Sequence, residues 1–302
     1  MNHRNELRPS VMTSSSIREL SDLFDEIPTV SGVGLFDLMV LRDIDLESIR
    51  GDLQSGGPPP PNQAPAITEF LAEARNFELT RDWILTQCRH PGIEIAALAS
   101  YFPDVTSLCG PRREMAIEAL VSTVRVGLAL NQQGLMRYPI IEMVGGTILD
   151  QCECDDCTRE GMIYVYGRED KILLLCDSIG EVVSRVRERE GDSAAAFALA
   201  LEMEPGESYI LNGTEPLEAV AQRLGLGGSH QHLATHVGFN LDIAHMRIAE
   251  ISANQLHGLR GWFVHAHIAD HPGMHTRDQV VGTWTEIERN GGGYFDYLKM
   301  LV

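Results

Sequence analysis

The chain has 302 residues, of which 43 are acidic and 24 are basic, so its formal charge at pH 7 is −19. A chain this acidic repels phosphate backbones, which argues against nucleic-acid binding. Apolar residues make up 44% of the chain, and this share excludes general disorder. No apolar run approaches the roughly 20 residues of a membrane span, and the polar segment Met1–Ser16 lacks a hydrophobic signal core, so we expect a cytoplasmic globular protein.

Six short runs of nearly continuous apolar residues recur along the chain. They are Gly32–Val40, Gly92–Leu98, Pro139–Gly145, Ala195–Glu204, Val237–Asp242 and Trp262–Ile268. Such runs are typical of strands that are buried on both faces, as in a parallel sheet. The segment Arg8–Ser14 is a weaker seventh candidate at the front of the chain.

Helical patterns lie between these runs. Arg112–Leu130 and Lys171–Glu190 carry apolar residues at helical spacing, and Thr214 is placed to cap a helix that ends before Gly225. The alternation of strand and helix predicts parallel β/α units. Seven such units favour an α/β fold of the (β/α)8 TIM-barrel type over an open sheet, with residues 1–302 as a single domain.

In a TIM barrel, the active face is formed by the carboxyl ends of the strands and the loops that follow them. Two irregular segments fall there, and we interpret them as insertions at about residues 43–66 and 147–165. After the Trp262 run come only a polar loop and a helix-like tail, Gly293–Val302, so the eighth strand is predicted to be lacking or incomplete. We favour a sequence shortened relative to its gene; the alternatives are a different strand numbering or a partner that covers the gap.

Charged and imidazole side chains interrupt three consecutive predicted strands near their ends. They are Glu202 and Glu204, then Asp242 with His245, then His265 and His267, which are followed by Asp270, His271 and His275. Buried charges are costly unless they are paired or bound to a metal. Three strands that deliver Glu, Asp and His to one rim supply the ligands of a divalent cation. For each residue alone, a salt bridge is the alternative interpretation.

Histidine is distributed unevenly, because nine of the eleven histidines lie from His230 onward. Imidazole is a common metal ligand and a general base near neutral pH, so this enrichment points to chemistry in the last third of the chain. Three of the nine, His230, His232 and His236, lie in a stretch rich in Gly, Ser and Gln. We expect these three on the surface.

The strings LEMEPG, GFNLDIAH and HAHIAD resemble successive strand ends of the xylose-isomerase-like TIM-barrel superfamily. This superfamily includes sugar isomerases and epimerases, dehydratases and nucleases of the endonuclease IV type. Its usual patterns are a strand that ends in Glu before Pro, a strand that ends D-x-x-H and a strand that reads H-x-x-D. With the upstream segments GVGLFDL and GIEIAAL, the resemblance spans roughly residues 10 to 290.

The resemblance implies roles for individual residues. The implied metal ligands are Glu202, Asp242 and His267, with Glu204 as the alternative if the register differs by two residues. The implied catalytic residues are Glu202, Glu204 and His245. The candidates for substrate contact are His245, Asp270, His271, His275 and Arg277, with Arg247 and Lys171 as alternatives for meeting a substrate phosphate or carboxylate. His245 matches a histidine that contacts substrate in some members and a further metal in the nucleases. The usual fourth ligand, a Glu on the eighth strand, has no match.

The function that the resemblance implies is that of a metal-dependent isomerase or epimerase. It would act on a sugar, polyol or related hydroxy-ketone by proton transfer through a metal-stabilised enediolate, with Mn, Mg, Co or Zn as the ion. The alternatives are a lyase (dehydratase) or hydrolase on the same scaffold, or a non-catalytic barrel subunit. Before residue 230 only His3 and His90 occur, which argues against the nuclease branch. We expect a small-molecule partner and no membrane, and the sequence leaves a homo-oligomer open.

Three cysteines form a C-x-C-x-x-C motif in the second insertion, namely Cys152, Cys154 and Cys157. Three thiolates this close together can share one soft ion, so a structural zinc is one hypothesis, with Cys176, an Asp or a His as the fourth ligand. A redox-active pair and the absence of any special role are the alternatives. Six cysteines in the whole chain are too few for a disulfide scaffold.

Overall fold

A computed structural model of the chain describes residues 10–12, 24, 34–40, 46, 64–89, 91–151, 163–191, 194 and 196–267. The strands are β1 (Val11–Met12), β2 (Leu35–Met39), β3 (Glu94–Ala99), β4 (Ile140–Val144), β5 (Leu149–Gln151), β6 (Ile163–Val165), β7 (Ala198–Glu202), β8 (Val237–Asp242) and β9 (Phe263–His267). Seven of them form one parallel sheet in the order β1-β2-β3-β4-β7-β8-β9. Six of these strands coincide with the predicted apolar runs, although β3 extends one residue beyond its run, and β1 lies in the weaker candidate Arg8–Ser14.

Helices follow most of the strands and cover the outside of the sheet. They are α1 (Ala64–Ala72), α2 (Phe77–Cys88), α3 (Gly110–Gln132), α4 (Arg168–Glu190), α5 (Thr214–Leu224) and α6 (Ile243–Ile248). The prediction that Thr214 caps α5 is wrong by one residue, because the extended Gly213 occupies the capping position and Thr214 is already helical. None of the helices in the described ranges is long and apolar enough to cross a membrane.

The sheet is curled and not flat. Strands β2 and β9 are five steps apart in the sheet order, which would separate them by about 24 Å in a flat sheet. In the structure, His265 Nε2 on β9 lies 3.5 Å from Asp37 Oδ2 on β2. The two strands therefore face each other across the interior of a barrel. The predicted fold class, an incomplete α/β TIM barrel, is confirmed for the described residues, which form seven parallel strands; the predicted position of the eighth strand lies outside them.

Gly238 allows β9 to pack closely against β8. A Cβ at this position would lie 2.5 Å from a methyl group of Val264 and 2.9 Å from the carbonyl oxygen of Trp262. Both distances are well inside van der Waals contact, so a residue with a side chain would push β9 away. A bulge after Phe239 then sets the register that places Asp242 beside His267. The sequence of β8 thus positions the ends of both strands.

The second predicted insertion contains an antiparallel hairpin, formed by β5 and β6. A buried ion pair fixes its base, because Lys171 Nζ on α4 lies 2.9 Å from Asp150 Oδ2 and 2.6 Å from the carbonyl oxygen of Thr106. Lys171 is 2% exposed and cannot meet a substrate phosphate, which corrects that candidate role.

His236 is buried, with 1% of its surface exposed, so the prediction that it lies on the surface is wrong. Its ring packs against Phe197, and its Nδ1 lies 3.3 Å from the Phe197 carbonyl oxygen. On the other side, Arg187 Nη2 lies 2.9 Å from His236 Nε2. Burial lowers the pKa of His236, which keeps the ring neutral beside the arginine. Because these partners are distant from His236 in the sequence, no local pattern around His236 predicts that it is buried.

Candidate metal centre

The carboxyl ends of β7, β8 and β9 carry the three residues predicted as metal ligands. Glu202, Asp242 and His267 are the last residues of these strands. The register pairs Asp242 directly with His267 and pairs Glu202 with Asn240. Because adjacent parallel strands end at the same edge of the sheet, the three side chains converge at one opening. Glu202, Asp242 and His267 are called the outer group from here on.

The spacing of the outer group fits a shared cation. His267 Nδ1 lies 3.6 Å from Glu202 Oε1 and 3.7 Å from Asp242 Oδ2. Glu202 is 1% exposed and Asp242 is 8% exposed, and buried carboxylates need a compensating charge. Two carboxylates and one imidazole form a mixed oxygen and nitrogen donor set that suits zinc or manganese. The residues present therefore fit the divalent ion that the resemblance implies.

Asn240 determines which nitrogen of His267 faces the outer group. Its amide Nδ2 lies 3.1 Å from His267 Nδ1, and because an amide N–H only donates, a neutral ring accepts this contact through a lone pair on Nδ1. The neutral ring then has its proton on Nε2, which lies 3.1 Å from Glu142 Oε2. Metal-ligating histidines commonly present their second nitrogen to a carboxylate. An ion coordinated by Nδ1 would use this same lone pair and take the place of the Asn240 N–H.

His245 lies beside the outer group but uses Nδ1 differently. Its Nδ1 lies 2.9 Å from the Met203 carbonyl oxygen, which can only accept, so this nitrogen carries a hydrogen and is not a ligand in this arrangement. The backbone N–H of His245 donates to Asp242 Oδ1 at 2.9 Å and starts α6. Burial lowers the pKa of His245, but the charges of the neighbouring carboxylates outweigh burial and raise it. A protonated His245 is therefore oriented as a donor.

Glu202 and Glu204 occupy different environments although they are two residues apart. Glu202 is fully enclosed, and its Oε2 accepts a 2.7 Å hydrogen bond from the hydroxyl of Tyr101. The side chain of Glu204 is 20% exposed and lies 3.9 Å from His245 Nδ1. Burial and the charge of Glu202 raise the pKa of Tyr101, so its hydroxyl stays protonated as a donor. Sequence reasoning missed Tyr101, which carries no local signal in the loop after β3.

A second cluster lies beside the outer group and was not recognised as a unit in the sequence. It contains Asp37 on β2, Glu142 on β4 and His265 on β9, which are called the inner group. His265 Nε2 lies 3.1 Å from Glu142 Oε1 and 3.5 Å from Asp37 Oδ2. Asp37 and Glu142 each interrupt an apolar run, GLFDLMV and IIEMVG. A charged residue inside an apolar run was the pattern that pointed to Glu202. Asp37 and Glu142 show the same pattern.

The two groups and their neighbours concentrate negative charge. Five carboxylates meet three imidazoles here, and the residues are Asp37, Glu142, Glu202, Glu204, Asp242, His245, His265 and His267. Burial alone would raise the pKa of Glu142, but the charges of His267 and His265 hold it well below its usual range. Burial would lower the pKa of His265, yet Glu142 and Asp37 raise it to about 9. In the part of the chain that the structure describes, the ion pairs of Glu142, Glu202 and Asp242 are made with imidazoles.

Several predicted site residues lie outside the described residues. They are the candidates for substrate contact Asp270, His271, His275 and Arg277, and the cysteines of the thiol motif, Cys152, Cys154 and Cys157. Their roles remain predictions. Cys176, the candidate fourth thiol ligand, is buried in α4, and burial raises its pKa to about 11.

No protein-family model matches the chain, and no curated protein matches it by sequence. Among solved structures, an IolI protein with a bound zinc atom superimposes with a TM-score of 0.57 at 14% identity, covering 98% of this chain and 84% of that one. A fusion of a xylose isomerase-like TIM barrel with a 4-hydroxyphenylpyruvate dioxygenase gives a TM-score of 0.50 at 14% identity. The chain has the fold of a xylose-isomerase-like TIM barrel.

The match to the fusion protein covers 90% of this chain and 32% of that one. Endonuclease IV from Thermus thermophilus superimposes with a TM-score of 0.46 at 14% identity, covering 89% of this chain and 78% of that one. At 14% identity, the two matches with TM-scores of 0.57 and 0.50 establish the fold of the chain alone. Its activity has to be argued from the site itself.

Replacing Tyr101 with phenylalanine is expected to weaken divalent-ion binding by about 10- to 100-fold while leaving the fold intact. The substitution removes the hydrogen bond that orients Glu202 Oε2 and leaves the ring in place. Isothermal titration with Mn²⁺ measures the change. Tyr138→Phe is the matched control, because Tyr138 precedes β4 at the opposite end of the barrel and is 40% exposed. Equal Mn²⁺ affinity for Tyr101→Phe and wild type would contradict the role of Tyr101.

Proposed function

We propose that the chain is a metal-dependent isomerase or epimerase that acts on a sugar, a polyol or a related hydroxy-ketone. The observation that carries this proposal is the convergence of the outer group at one barrel mouth, with Glu204 and His245 beside it. The site thus combines a candidate cation centre, a carboxylate at the rim and an imidazole donor. These are the parts that moving a proton next to a carbonyl group requires.

The outer group would hold the divalent ion through Glu202, Asp242 and His267. When bound, such an ion supplies Lewis acidity, which lowers the cost of negative charge on a substrate carbonyl oxygen. Tyr101 would keep Glu202 oriented, because its hydroxyl donates a hydrogen bond to Glu202 Oε2. Because Glu202 is enclosed, its carboxylate is better suited to bind the ion than to act as a base, which has to reach the substrate.

Glu204 is proposed as the base that takes the carbon-bound proton. Its partly exposed side chain lies at the mouth, two residues beyond the last residue of β7. His245 is proposed as the opposite donor, since the Met203 carbonyl fixes its ring and nearby carboxylates favour its protonated form. A base and a donor on one substrate allow a proton to leave one position and a hydrogen bond to form at the oxygen.

The test is solvent exchange of the carbon-bound hydrogen next to a ketone. The protein loaded with Mn²⁺ is incubated in D₂O with a panel of ketoses and polyol-derived ketones, and deuterium incorporation is followed by nuclear magnetic resonance. We expect exchange for at least one compound. Glu204→Gln is expected to bind Mn²⁺ like the wild type but to exchange at least about 100-fold more slowly, as for loss of a general base.

Two further variants sharpen this experiment. Glu202→Gln is expected to lose both Mn²⁺ binding and exchange, because it removes a ligand. Glu207→Gln, an exposed residue of the same loop, is the matched control and should behave like the wild type. Absence of exchange with every compound, or an unchanged rate for Glu204→Gln, would overturn the proposal. Loss of water from a compound without exchange would favour the lyase alternative.

A further inference from the structure

We propose that the inner group, Asp37, Glu142 and His265, is a second divalent-cation site inside the barrel. This proposal goes beyond the proposed activity and does not depend on it. The first observation is the state of Glu142, which is 0% exposed. Among the described residues, neither of its carboxylate oxygens has a hydrogen-bond partner. A carboxylate buried in this way needs a positive partner.

The second observation is the geometry around Glu142. His265 Nε2 lies 3.1 Å from Glu142 Oε1, yet this pair lacks the alignment of a hydrogen bond, and within the described chain Nε2 has no hydrogen-bond partner. Two ligand atoms that each lie about 2.1 Å from one ion are separated by about 3.0–3.4 Å. The distances of His265 Nε2 to Glu142 and Asp37, 3.1 and 3.5 Å, match that spacing.

The third observation is the charge of the barrel mouth. Its five carboxylates exceed its three imidazoles even when every ring is protonated. Within the described part of the chain, the ion pairs of Glu142, Glu202 and Asp242 are all made with histidines. Coordination by His265 and His267 requires neutral rings. A divalent ion at each group would supply positive charge beside these carboxylates.

The surroundings support a built site. The hydroxyl of Ser10 donates to Asp37 Oδ2 at 2.7 Å, which orients this carboxylate as outer-shell partners do in metal centres. His267 links the two groups, because its Nδ1 faces the outer group and its Nε2 lies 3.1 Å from Glu142 Oε2. Two carboxylates with imidazole suit Zn²⁺ or Mn²⁺ better than Ca²⁺, which prefers oxygen ligands only.

The experiment counts ions per chain. The full chain is stripped with a chelator, equilibrated by dialysis with excess Mn²⁺ and analysed for bound manganese per chain. Mn²⁺ is the probe because the soft thiolates of the cysteine motif do not favour it. We expect two ions for the wild type and one each for Asp37→Asn, His265→Gln and Asp242→Asn. Glu118→Gln, on the outer face of α3, is the control and should keep two.

The outcomes separate this inference from the proposed function. A wild type that binds one ion, lost in Asp242→Asn and kept in Asp37→Asn and His265→Gln, would overturn the second site and identify the inner group as a buried ion-pair cluster. An ion count that falls in both inner variants but not in Asp242→Asn would support the inner site and overturn the outer one. Circular dichroism checks folding, and either inner variant that folds suffices for the comparison.

Discussion

Asp242→Asn is expected to abolish binding of the outer ion and to slow proton exchange roughly thousandfold, the rate equivalent of about 4 kcal/mol of Lewis-acid stabilisation. The reason is the removal of one charged ligand from a site with only three in the described chain. The fold should survive, because Asn fills the same volume and its side-chain oxygen accepts the same hydrogen bond from the His245 backbone N–H. Asn is also as good an N-cap residue as Asp.

Bound Mn²⁺ and the exchange rate are measured on the same preparation of this variant. Asp177→Asn is the matched control, since Asp177 is an exposed residue on α4 that pairs with His230 far from the barrel mouth. The control should keep both the ion and the exchange rate. An Asp242→Asn protein with the wild-type rate and ion content would show that Asp242 serves only as the cap of α6.

The strands of the barrel could be predicted from the sequence because each is a short apolar run that the fold buries on both faces. The outer group could be predicted for a related reason, since Glu202, Asp242 and His267 are polar residues at the ends of such runs. Neighbouring parallel strands bring their ends together whatever the curvature of the sheet. Local sequence and sheet topology were therefore sufficient to place these three residues.

The inner group depends on more than sheet topology. Asp37 and Glu142 carry the same signal as Glu202, but they lie on strands that are far from β9 in the sheet order. Only the closure of the barrel brings Asp37 within 3.5 Å of His265. The degree of curvature follows from the packing of the whole core, which a run of residues does not encode. Tyr101 was missed because it lies in the loop after β3, and Asn240 was missed because its contact with His267 depends on the bulge in β8.

His265 itself was noted in the sequence as an interruption of a strand but received no role. Its position two residues before His267 puts both rings on the inner face of β9. The bulge in β8 after Phe239 then decides which residue each ring meets, and it pairs His265 with Asn240. Bulges have no reliable signature in a single sequence. The assignment of one imidazole to each group therefore required the structure.

Lys171→Met is expected to destabilise the protein by about 3–5 kcal/mol, because it leaves the buried carboxylate of Asp150 without its cation. Lys171 and Asp150 are 2% and 8% exposed, and their charged atoms lie 2.9 Å apart. Urea denaturation followed by circular dichroism measures the loss. Arg112→Met is the matched control, since its pair with Asp104 is about 40% exposed and surface pairs contribute about 0–1 kcal/mol.

The same pair gives the dependence of stability on pH. Burial would raise the pKa of Asp150, but the Leu108 amide and Lys171 outweigh burial and lower it below the ordinary value of 3.8. The stabilisation is therefore fully present at neutral pH and is lost as the pH falls below 3.8 and through the lowered pKa. In Lys171→Met this acid-dependent component should shrink. An unchanged midpoint in urea at neutral pH would show that solvent reaches Asp150 and replaces its partner.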